Sequence, residues 1–470
     1  MLKRDARQTR RRAARTAFIR LRIHFSLALN VRLILISSLS SNSEKRMRLI
    51  NTTTLELAEF VSWEIPAYAI LSHRWAVATE ELTFKDYRKG VKRDTSGYRK
   101  IVRFCQLAAS QDWDWGWVDT ICIDKRSSAE LSESINSMLG WYREAAVCYA
   151  YLSDVDKGGN WESSDWWTRG WTLQELIGPE DVLFYDAAWT PIGSKYGLAA
   201  RIAALTRIPD TVLYFAGHGY GGYLVAQKLS WAAGRRTTRI EDQAYCLLGL
   251  FGIHMPLLYG EGDKAFERLQ LQILMKCPDD SILAWDPKTD EEGTLDDLTA
   301  VAGVVLADSP DRFKRCGQHI LSSLQYSRPE IGAIAPRVTS WGIEYRGIAQ
   351  RLELEEQESM SLGEELNQLL IERVELWAVL LTAIVGEGLI HLPYVLILQQ
   401  CGPLPTHYRR LQCYQSSDLT RLYAWLVRRF KFEEVDTNKV FYLQYDDDLP
   451  QGYTGGGPVH RYHYFATHPV

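Results

Sequence analysis

The sequence predicts an α/β protein: a doubly wound parallel sheet, followed by a helical segment and a β-rich C-terminal region. Two patterns predict this order. In the first half of the chain, short apolar runs alternate with amphipathic stretches, as strands and helices do in βαβ units. From about residue 298 the pattern changes to short runs that are typical of β-strands. The 470 residues are 46% hydrophobic and 24% charged, as in ordinary globular proteins with a core.

Four short apolar runs predict the strands of the sheet. Each has the length of a strand, ends near polar or turn residues, and suits a strand that is buried on both faces. The runs are 68–72, 115–119, 147–152 and 181–185. Because alternating strands and helices imply right-handed crossovers, we expect these strands to lie parallel in one sheet.

Between these runs, apolar residues recur at the spacing of a helix. Residues 98–110 carry apolar side chains at helical spacing. Residues 127–130 have the form of a capping box, and an apolar face follows at 135–142. Residues 171–177 predict a short helix just before the fourth strand.

Beyond the sheet, apolar faces predict helices within 240–251 and 266–273, joined by a connector with Pro and Gly at 255–262. The stretch 352–374, rich in Glu and Leu, has two interpretations, a helix or a charged loop. The predicted C-terminal strands are 299–306, 338–345, 376–384 and 440–445. The predicted divisions of the chain are 1–46, 47–200, 201–287 and 288–470.

Residues 1–46 differ in kind from the rest. Ten Lys or Arg fall between Lys3 and Arg32, against a single acid, Asp5. A basic, acid-poor start is typical of a mitochondrial presequence. The alternative is a disordered extension, with Met47 as the working first residue. On that second interpretation, we expect the extension to be dispensable for folding.

Charge and cysteine content argue against several functional classes. A formal net charge of -4 argues against bulk electrostatic binding of nucleic acid. The eight cysteines include no CxxC pair, so we expect no metal or redox site and a reducing, cytoplasmic compartment. The apolar stretch 376–386 is far shorter than the roughly 20 residues that a membrane span requires.

Polar and aromatic side chains follow two of the predicted strands, at the edge where parallel sheets collect ligands. An Arg fork suits phosphate, an aromatic face suits a base, and carboxylates suit ribose hydroxyls, so this edge is a candidate nucleotide site. The candidate substrate-binding residues are Ser72, His73, Arg74, Trp75, Asp119 and Asp124.

Several of these side chains have a second interpretation. His73 is either a general base or a packed, hydrogen-bonded residue. Arg74 and Arg169 either bind phosphate or pair with Asp119 and Asp124. The sequence pattern leaves both alternatives open.

Three segments resemble the signature blocks of the HET (heterokaryon incompatibility) domain of filamentous fungi. They are Tyr68-Ala-Ile-Leu-Ser-His-Arg-Trp75, Trp117-Val-Asp-Thr-Ile-Cys-Ile-Asp124 and Arg169-Gly-Trp-Thr-Leu-Gln-Glu-Leu176. Residues 228–262 resemble the segment that often follows the domain, so the resemblance covers roughly 47–286. It implies a role in self/non-self recognition and regulated cell death, with self-association or a partner sensor protein.

The HET family has been related to TIR domains, whose sheet is flavodoxin-like and some of which hydrolyse NAD. The resemblance implies that Glu175 is similar to their single catalytic glutamate, with Arg169 and Trp171 among the substrate-binding residues and NAD as a substrate, not a cofactor. A nearby carboxylate can stabilise the oxocarbenium-like charge that builds when the nicotinamide–ribose bond breaks.

The residues around Glu175 by themselves favour a structural interpretation. Thr172 to Glu175 has the form of a capping box, in which Glu175 folds back on the backbone. Two functions therefore stay open: an effector enzyme with NAD glycohydrolase activity, and a non-catalytic signalling module that self-associates.

Overall fold

A computed structural model gives the fold of the chain. It describes residues 46–214, 219–277, 279–285 and 305–317, and the backbone of nine strands between residues 320 and 466. The predicted extension, apart from its last residue, and the stretch 353–375 lie outside the described residues. Arg46, the last residue of the predicted extension, is the first residue of a strand.

Seven strands form a mixed sheet. Four of them confirm the predicted strands, with small differences at their ends. The strands are β1 (Arg46–Asn51), β2 (Leu57–Val61), β3 (Ala69–His73), β4 (Trp115–Trp117), β5 (Val147–Tyr151), β6 (Val182–Tyr185) and β7 (Pro191–Ser194). Their order across the sheet is β2-β1-β4-β3-β5-β6-β7.

The four predicted strands run parallel, as expected. Ala69 pairs with Gly116 of β4 and with Val147 of β5, and Cys148 of β5 pairs with Val182 of β6. Towards the edges, β1 runs antiparallel to β4 and β7 antiparallel to β6. The parallel core has the flavodoxin-like order 2-1-3-4, whose switch point lies between the first and third strands. The carboxyl ends of β3 and β5 therefore flank the position where such sheets bind ligands.

Helices fill the intervals where the periodicity predicts them. The side chain of Thr95 caps the helix Ser96–Ala109, and that of Ser127 caps the helix Ser128–Glu144. Both helices bury their apolar faces. The other helices of this half are Phe84–Lys89, Asp119–Cys122, Thr172–Ile177, Lys195–Thr206 and Asp210–Tyr214, with 3-10 turns at Trp161–Ser163 and Asp165–Thr168.

A predominantly helical segment follows the sheet, as predicted. The apolar face predicted from 266 to 273 is buried in the helix Lys264–Lys276. The prediction of one continuous apolar face from Ile240 to Phe251 is wrong. Two four-residue helices take its place, and Ile240 is 52% exposed. The second of these helices packs onto Leu139 through Gly249, so tertiary packing overrides the local periodicity. The remaining elements of this segment are the helices Val225–Ser230, Asp242–Tyr245 and Leu248–Phe251 and the 3-10 turns Asp280–Leu283 and Pro310–Cys316.

The C-terminal region is β-rich, as predicted. Its described strands are β8 (Ile320–Ser323), β9 (Ile334–Thr339), β10 (Gly342–Arg346), β11 (Ile348–Leu352), β12 (Leu376–Glu387), β13 (Ile390–Gln400), β14 (His407–Tyr414), β15 (Val440–Leu443) and β16 (Phe465–Ala466). The predicted runs 376–384 and 440–445 fall on β12 and β15, whereas 338–345 is divided between β9 and β10. Of the run 299–306, residues 299–304 lie outside the described residues and 305–306 are not in a strand.

The chain divides into two compact units. In the described part of the smaller one, 46–48 and 59–65, Glu59 carboxylate oxygens lie 3.7 Å from Arg46 Nη1 and 3.9 Å from Arg48 Nε. A 3-10 turn at Ser62–Glu64 completes it. The larger unit holds residues 49–58 and the described residues from 66 onward. None of the described helices has the length and apolar character needed to cross a bilayer.

Candidate functional site

A cavity of about 500 Å³ lies at the carboxyl end of β3, next to the switch point of the sheet. This volume is within the usual range of small-molecule sites. Side chains from all three signature segments line it. Those predicted from the sequence are His73, Arg74, Trp75, Asp119, Arg169, Trp171 and Glu175.

Two predicted residues do not line the cavity. Ser72 is fully buried behind the wall, where its hydroxyl donates to Glu175 Oε2 and accepts a 2.9 Å bond from Trp166 Nε1. Asp124 lies beyond the short helix Asp119–Cys122, and its carboxylate pairs with the Arg126 guanidinium at 2.6 Å. The prediction that the Asp124 side chain shares the site with Asp119 is therefore wrong: its neighbours Ile123 and Lys125 line the cavity, whereas the Asp124 carboxylate pairs with Arg126.

Glu175 is the buried acid of the cavity, with 7% of its surface exposed. Burial raises its pKa to about 7, while the hydrogen bond from Ser72 and the charge of Arg169 oppose the rise. Because this value is close to neutral pH, Glu175 exchanges between a carboxylate and a protonated acid under physiological conditions.

The predicted capping box at Thr172–Glu175 is wrong. The helix Thr172–Ile177 begins after Trp171, which makes no side-chain cap, and the Thr172 hydroxyl donates to the carbonyl oxygens of Trp166 and Arg169. The Glu175 carboxylate is bound by Ser72, a residue that is distant in sequence, instead of by its own backbone. A local pattern could not reveal this, because the competing partner comes from β3.

His73 is neutral at physiological pH. Burial lowers its pKa to about 3, and the nearby charge of Lys100 acts in the same direction. Asp119 Oδ1 lies 3.8 Å from His73 Nε2, too far for a hydrogen bond, and this buried nitrogen has no hydrogen-bond partner among the described residues. The contact is therefore not an ion pair at neutral pH, and His73 presents an uncharged imidazole.

Asp119 is held by Trp75 of the first signature segment and by Lys125, the residue that follows the second. Trp75 Nε1 donates to Asp119 Oδ2 at 2.9 Å, and Lys125 Nζ lies 3.1 Å from the same oxygen. Burial on its own would raise the pKa of Asp119, but Lys125 and other nearby groups hold that pKa at about 2. Lys125 Nζ also lies 3.6 Å from the centroid of the Trp75 ring, so one ammonium covers the aromatic ring and neutralises the acid.

A buried ion pair supports this wall near His73. Lys100 Nζ donates to both carboxylate oxygens of Glu81, at 2.8 and 3.1 Å. Glu81 also accepts hydrogen bonds from the amides of Ala76 and Leu82, so its charge is well satisfied. These contacts fix the chain that follows β3 against the helix Ser96–Ala109.

Neither arginine of the signature segments pairs with Asp119 or Asp124. Arg74 pairs with Asp165, not with Asp119 or Asp124. Arg169 has no carboxylate within 4 Å among the described residues, and its guanidinium carbon lies 5.9 Å from the Trp75 ring centroid. Of the two interpretations left open for these arginines, pairing with Asp119 and Asp124 is not what the structure has, because Lys125 and Arg126, close in sequence, pair with those acids.

Part of the cavity wall comes from the segment that follows the sheet, which the sequence pattern did not assign to the site. The Gly170 amide donates to the Arg236 carbonyl at 2.9 Å, and the Arg236 amide donates to the Thr168 carbonyl at 2.6 Å. The side chains that this segment adds to the wall are Arg236, Thr237, Thr238, Arg239, Asp242 and Tyr259. Residues 236–239 have no apolar period, so the only signal was their likeness to the segment that follows HET domains.

Gly170 is required where these two segments meet. A Cβ atom added at Gly170 would lie 2.5 Å from Thr237 Cγ2 and 3.1 Å from Cys246 Sγ. Beneath the contact, the buried Arg235 donates from Nη1 to the Arg169 carbonyl and the Thr172 hydroxyl, each at 3.0 Å. The glycine therefore allows an approach that joins the two parts of the wall.

The cavity suits an anionic organic ligand better than a metal ion. Its cations are Arg74, Lys125, Arg169, Arg236 and Arg239, and its acids are Asp119, Asp165, Asp242 and Glu175. Asp311, outside the lining, neutralises Arg236, so positive charge is in excess to the extent that Glu175 is protonated. No group of three potential metal-ligating side chains occurs in the part of the chain that the structure describes.

The sheet and its cavity define an α/β domain with a ligand-sized site at the switch point. The family model described as Heterokaryon incompatibility protein (HET) matches residues 68–161. Vegetative incompatibility protein HET-E-1 of Podospora anserina is 44% identical over 264 residues, which is 53% of this chain and 19% of that protein. The chain contains a HET domain. It spans about a fifth of the length of this curated relative, and no solved structure matches it.

Proposed function

We propose that this chain acts in heterokaryon incompatibility and regulated cell death, through cleavage of NAD in the cavity of its HET domain. The incompatibility role is supported by the likeness to a vegetative incompatibility protein. The reaction is supported chiefly by one observation: Glu175 is a buried acid in a cavity with excess positive charge, and its pKa is about 7.

In this proposal, the bond between nicotinamide and ribose C1′ breaks, and its electron pair remains on the departing nicotinamide. The ionised Glu175 stabilises the positive charge that develops on the ribose ring. Water then attacks C1′ and releases a proton, which gives nicotinamide and ADP-ribose. The neutral His73 adds no further positive charge close to this centre.

Measurement of nicotinamide released from NAD by the purified full-length chain tests the proposal. We expect Glu175→Gln to abolish the release, because the amide is uncharged but still accepts the hydrogen bond from Ser72. The matched control is Glu162→Gln, at an acid that pairs with Arg201 outside the cavity, and it should retain full activity. A folded Glu175→Gln variant that releases nicotinamide as fast as wild type would remove Glu175 from the mechanism.

A non-catalytic signalling module is the second candidate. It is favoured by two contacts that occupy site groups within the protein: Lys125 covers the Trp75 ring, and Ser72 binds Glu175. On this alternative, the chain self-associates or joins a partner sensor protein and releases no nicotinamide. Light scattering of the purified chain over a concentration series, together with the nicotinamide assay, separates the two candidates.

A further inference from the structure

Two of the five cations that line the cavity have no carboxylate within 4 Å among the described residues. These are Arg169 and Arg239. The other three are each neutralised by an acid: Arg74 by Asp165, Lys125 by Asp119 at 3.1 Å, and Arg236 by Asp311 at 2.9 Å.

The two remaining arginines lie beside aromatic rings. The Arg239 guanidinium carbon is 4.4 Å from the centroid of Tyr259, and that of Arg169 is 5.9 Å from the centroid of Trp75. A guanidinium stacked on a ring keeps its in-plane N–H groups for an anion. The nearby carboxylate of Asp242 accepts a hydrogen bond from the Tyr259 hydroxyl at 2.9 Å instead of pairing with Arg239.

Backbone hydrogen bonds place these arginines on adjoining segments. Thr168 and Gly170, on either side of Arg169, exchange backbone hydrogen bonds with Arg236. Arg239 lies three residues after Arg236. Both are more exposed than Glu175 and His73, which are buried at 7% and 4% exposure. The unpaired positive charge is therefore near the cavity mouth, and the buried acid is deeper.

We propose that Arg169 and Arg239 form a phosphate-binding subsite for the diphosphate of a nucleotide. The subsite combines one residue of the third signature segment with one residue of the segment that follows the domain. The inference rests on the proposed function and adds the residues that recognise the ligand class. A diphosphate at the mouth leaves the ribosyl group attached to it directed toward Glu175.

Calorimetric titration of the full-length chain with ADP and with adenosine tests this subsite without any reaction. We expect ADP to bind at least about tenfold more tightly than adenosine, since hydrogen bonds to charged groups contribute this much or more. Arg239→Gln and Arg169→Gln should each weaken ADP binding at least about tenfold and leave adenosine binding unchanged. Added salt should weaken ADP binding to the wild-type chain.

Arg201→Gln is the matched control. Arg201 also lies over an aromatic ring, 4.7 Å from the centroid of Trp161, but it is outside the cavity and pairs with Glu162. This variant should bind ADP as the wild type does. Equal binding of ADP and adenosine to wild type, or unchanged ADP binding in folded Arg239→Gln, would overturn the subsite.

The nicotinamide assay distinguishes this failure from failure of the proposed reaction. Arg239-dependent ADP binding without nicotinamide release supports the subsite and removes the glycohydrolase. Nicotinamide release that is unchanged by Arg239→Gln at low NAD concentration overturns the subsite and leaves the reaction in place.

Discussion

At the scale of single residues, burial shifts two titratable groups of the cavity in opposite directions. It raises the pKa of Glu175 to about 7 and lowers that of His73 to about 3. In both cases the charged form is disfavoured. The site at neutral pH therefore combines an uncharged imidazole with a carboxyl group that is only partly ionised.

These shifts predict opposing contributions to stability. The folded pKa of Glu175 lies above its ordinary value of 4.5, so its contribution is present below pH 4.5 and is lost as the pH rises through about 7. The folded pKa of His73 lies below its ordinary 6.5, so its contribution is present above pH 6.5 and is lost as the pH falls toward 3. The two partly cancel between pH 4.5 and 6.5.

The Glu175 contribution is isolated by comparing wild type with Glu175→Gln in urea unfolding from pH 4.5 to 8. We expect the free energy of unfolding of wild type, relative to the variant, to fall by roughly 3 kcal/mol over this range. A difference between the two proteins that does not change with pH would contradict the raised pKa. His73 is present in both proteins, so its contribution cancels.

Removal of the Ser72 hydroxyl should raise the pKa of Glu175 further. The hydroxyl donates to the carboxylate and so favours its ionised form. In the pH–rate profile of Ser72→Ala, the acidic limb, where the rate of nicotinamide release falls as Glu175 is protonated, should therefore move to higher pH. Ser134→Ala, at another buried serine in the helix Ser128–Glu144, is the control and should leave the limb in place. An unshifted limb in folded Ser72→Ala would show that the hydrogen bond does not tune the acid.

At the scale of elements, substitutions at two glycines test how the helix Leu248–Phe251 packs on the helix Ser128–Glu144. A Cβ at Gly249 would lie 2.4 Å from Leu139 Cβ, whereas a Cβ at Gly140 would have no atom within 4 Å. Gly249→Ala should lower the free energy of unfolding by about 1–3 kcal/mol, because the two helices must separate. Gly140→Ala should raise it by about 0.5–1 kcal/mol, since alanine favours a helix interior.

Thermal or urea unfolding of both variants measures the two effects. Equal stability of the two variants would contradict this packing. The pair is informative because the same chemical change is made in two helices that pack together, once at their contact and once at a position open to space, with opposite expected signs.

The elements that could be predicted are those whose signal is local. The run at 147–152 and the helix that Ser127 caps follow from periodicity and capping. The helix that carries Glu175 was predicted at 171–177, but the partner of its carboxylate could not be predicted in the same way, because Ser72 comes from another strand. The absence of Asp124 from the cavity wall could not be predicted either, because it depends on the ion pair between its carboxylate and Arg126.

At the scale of the whole molecule, the parallel run of the four central strands and the edge of the sheet at which the cavity lies could be predicted from the alternation of strands and helices, whereas the strand order could not. The part of the cavity wall that comes from the segment after the sheet could not be predicted. Residues 236–239 contribute through backbone contacts with 168–170, and such contacts between irregular segments have no periodic signature. The predicted boundary at residue 200 separates side chains that line one cavity.

The close approach of Gly170 to Thr237 and Cys246 limits where related chains can recombine and keep the cavity. The family match ends at residue 161, before both Gly170 and the segment against which it packs. A recombination event that transferred only the matched region would combine one parent's His73 and Asp119 with the other parent's Glu175, Arg169 and Arg239. We expect chimeras of related chains joined near residue 161 to lose ADP binding, and chimeras joined after Gly262 to retain it. The residues that must be transferred together to keep this cavity therefore extend well beyond the residues that the family model matches.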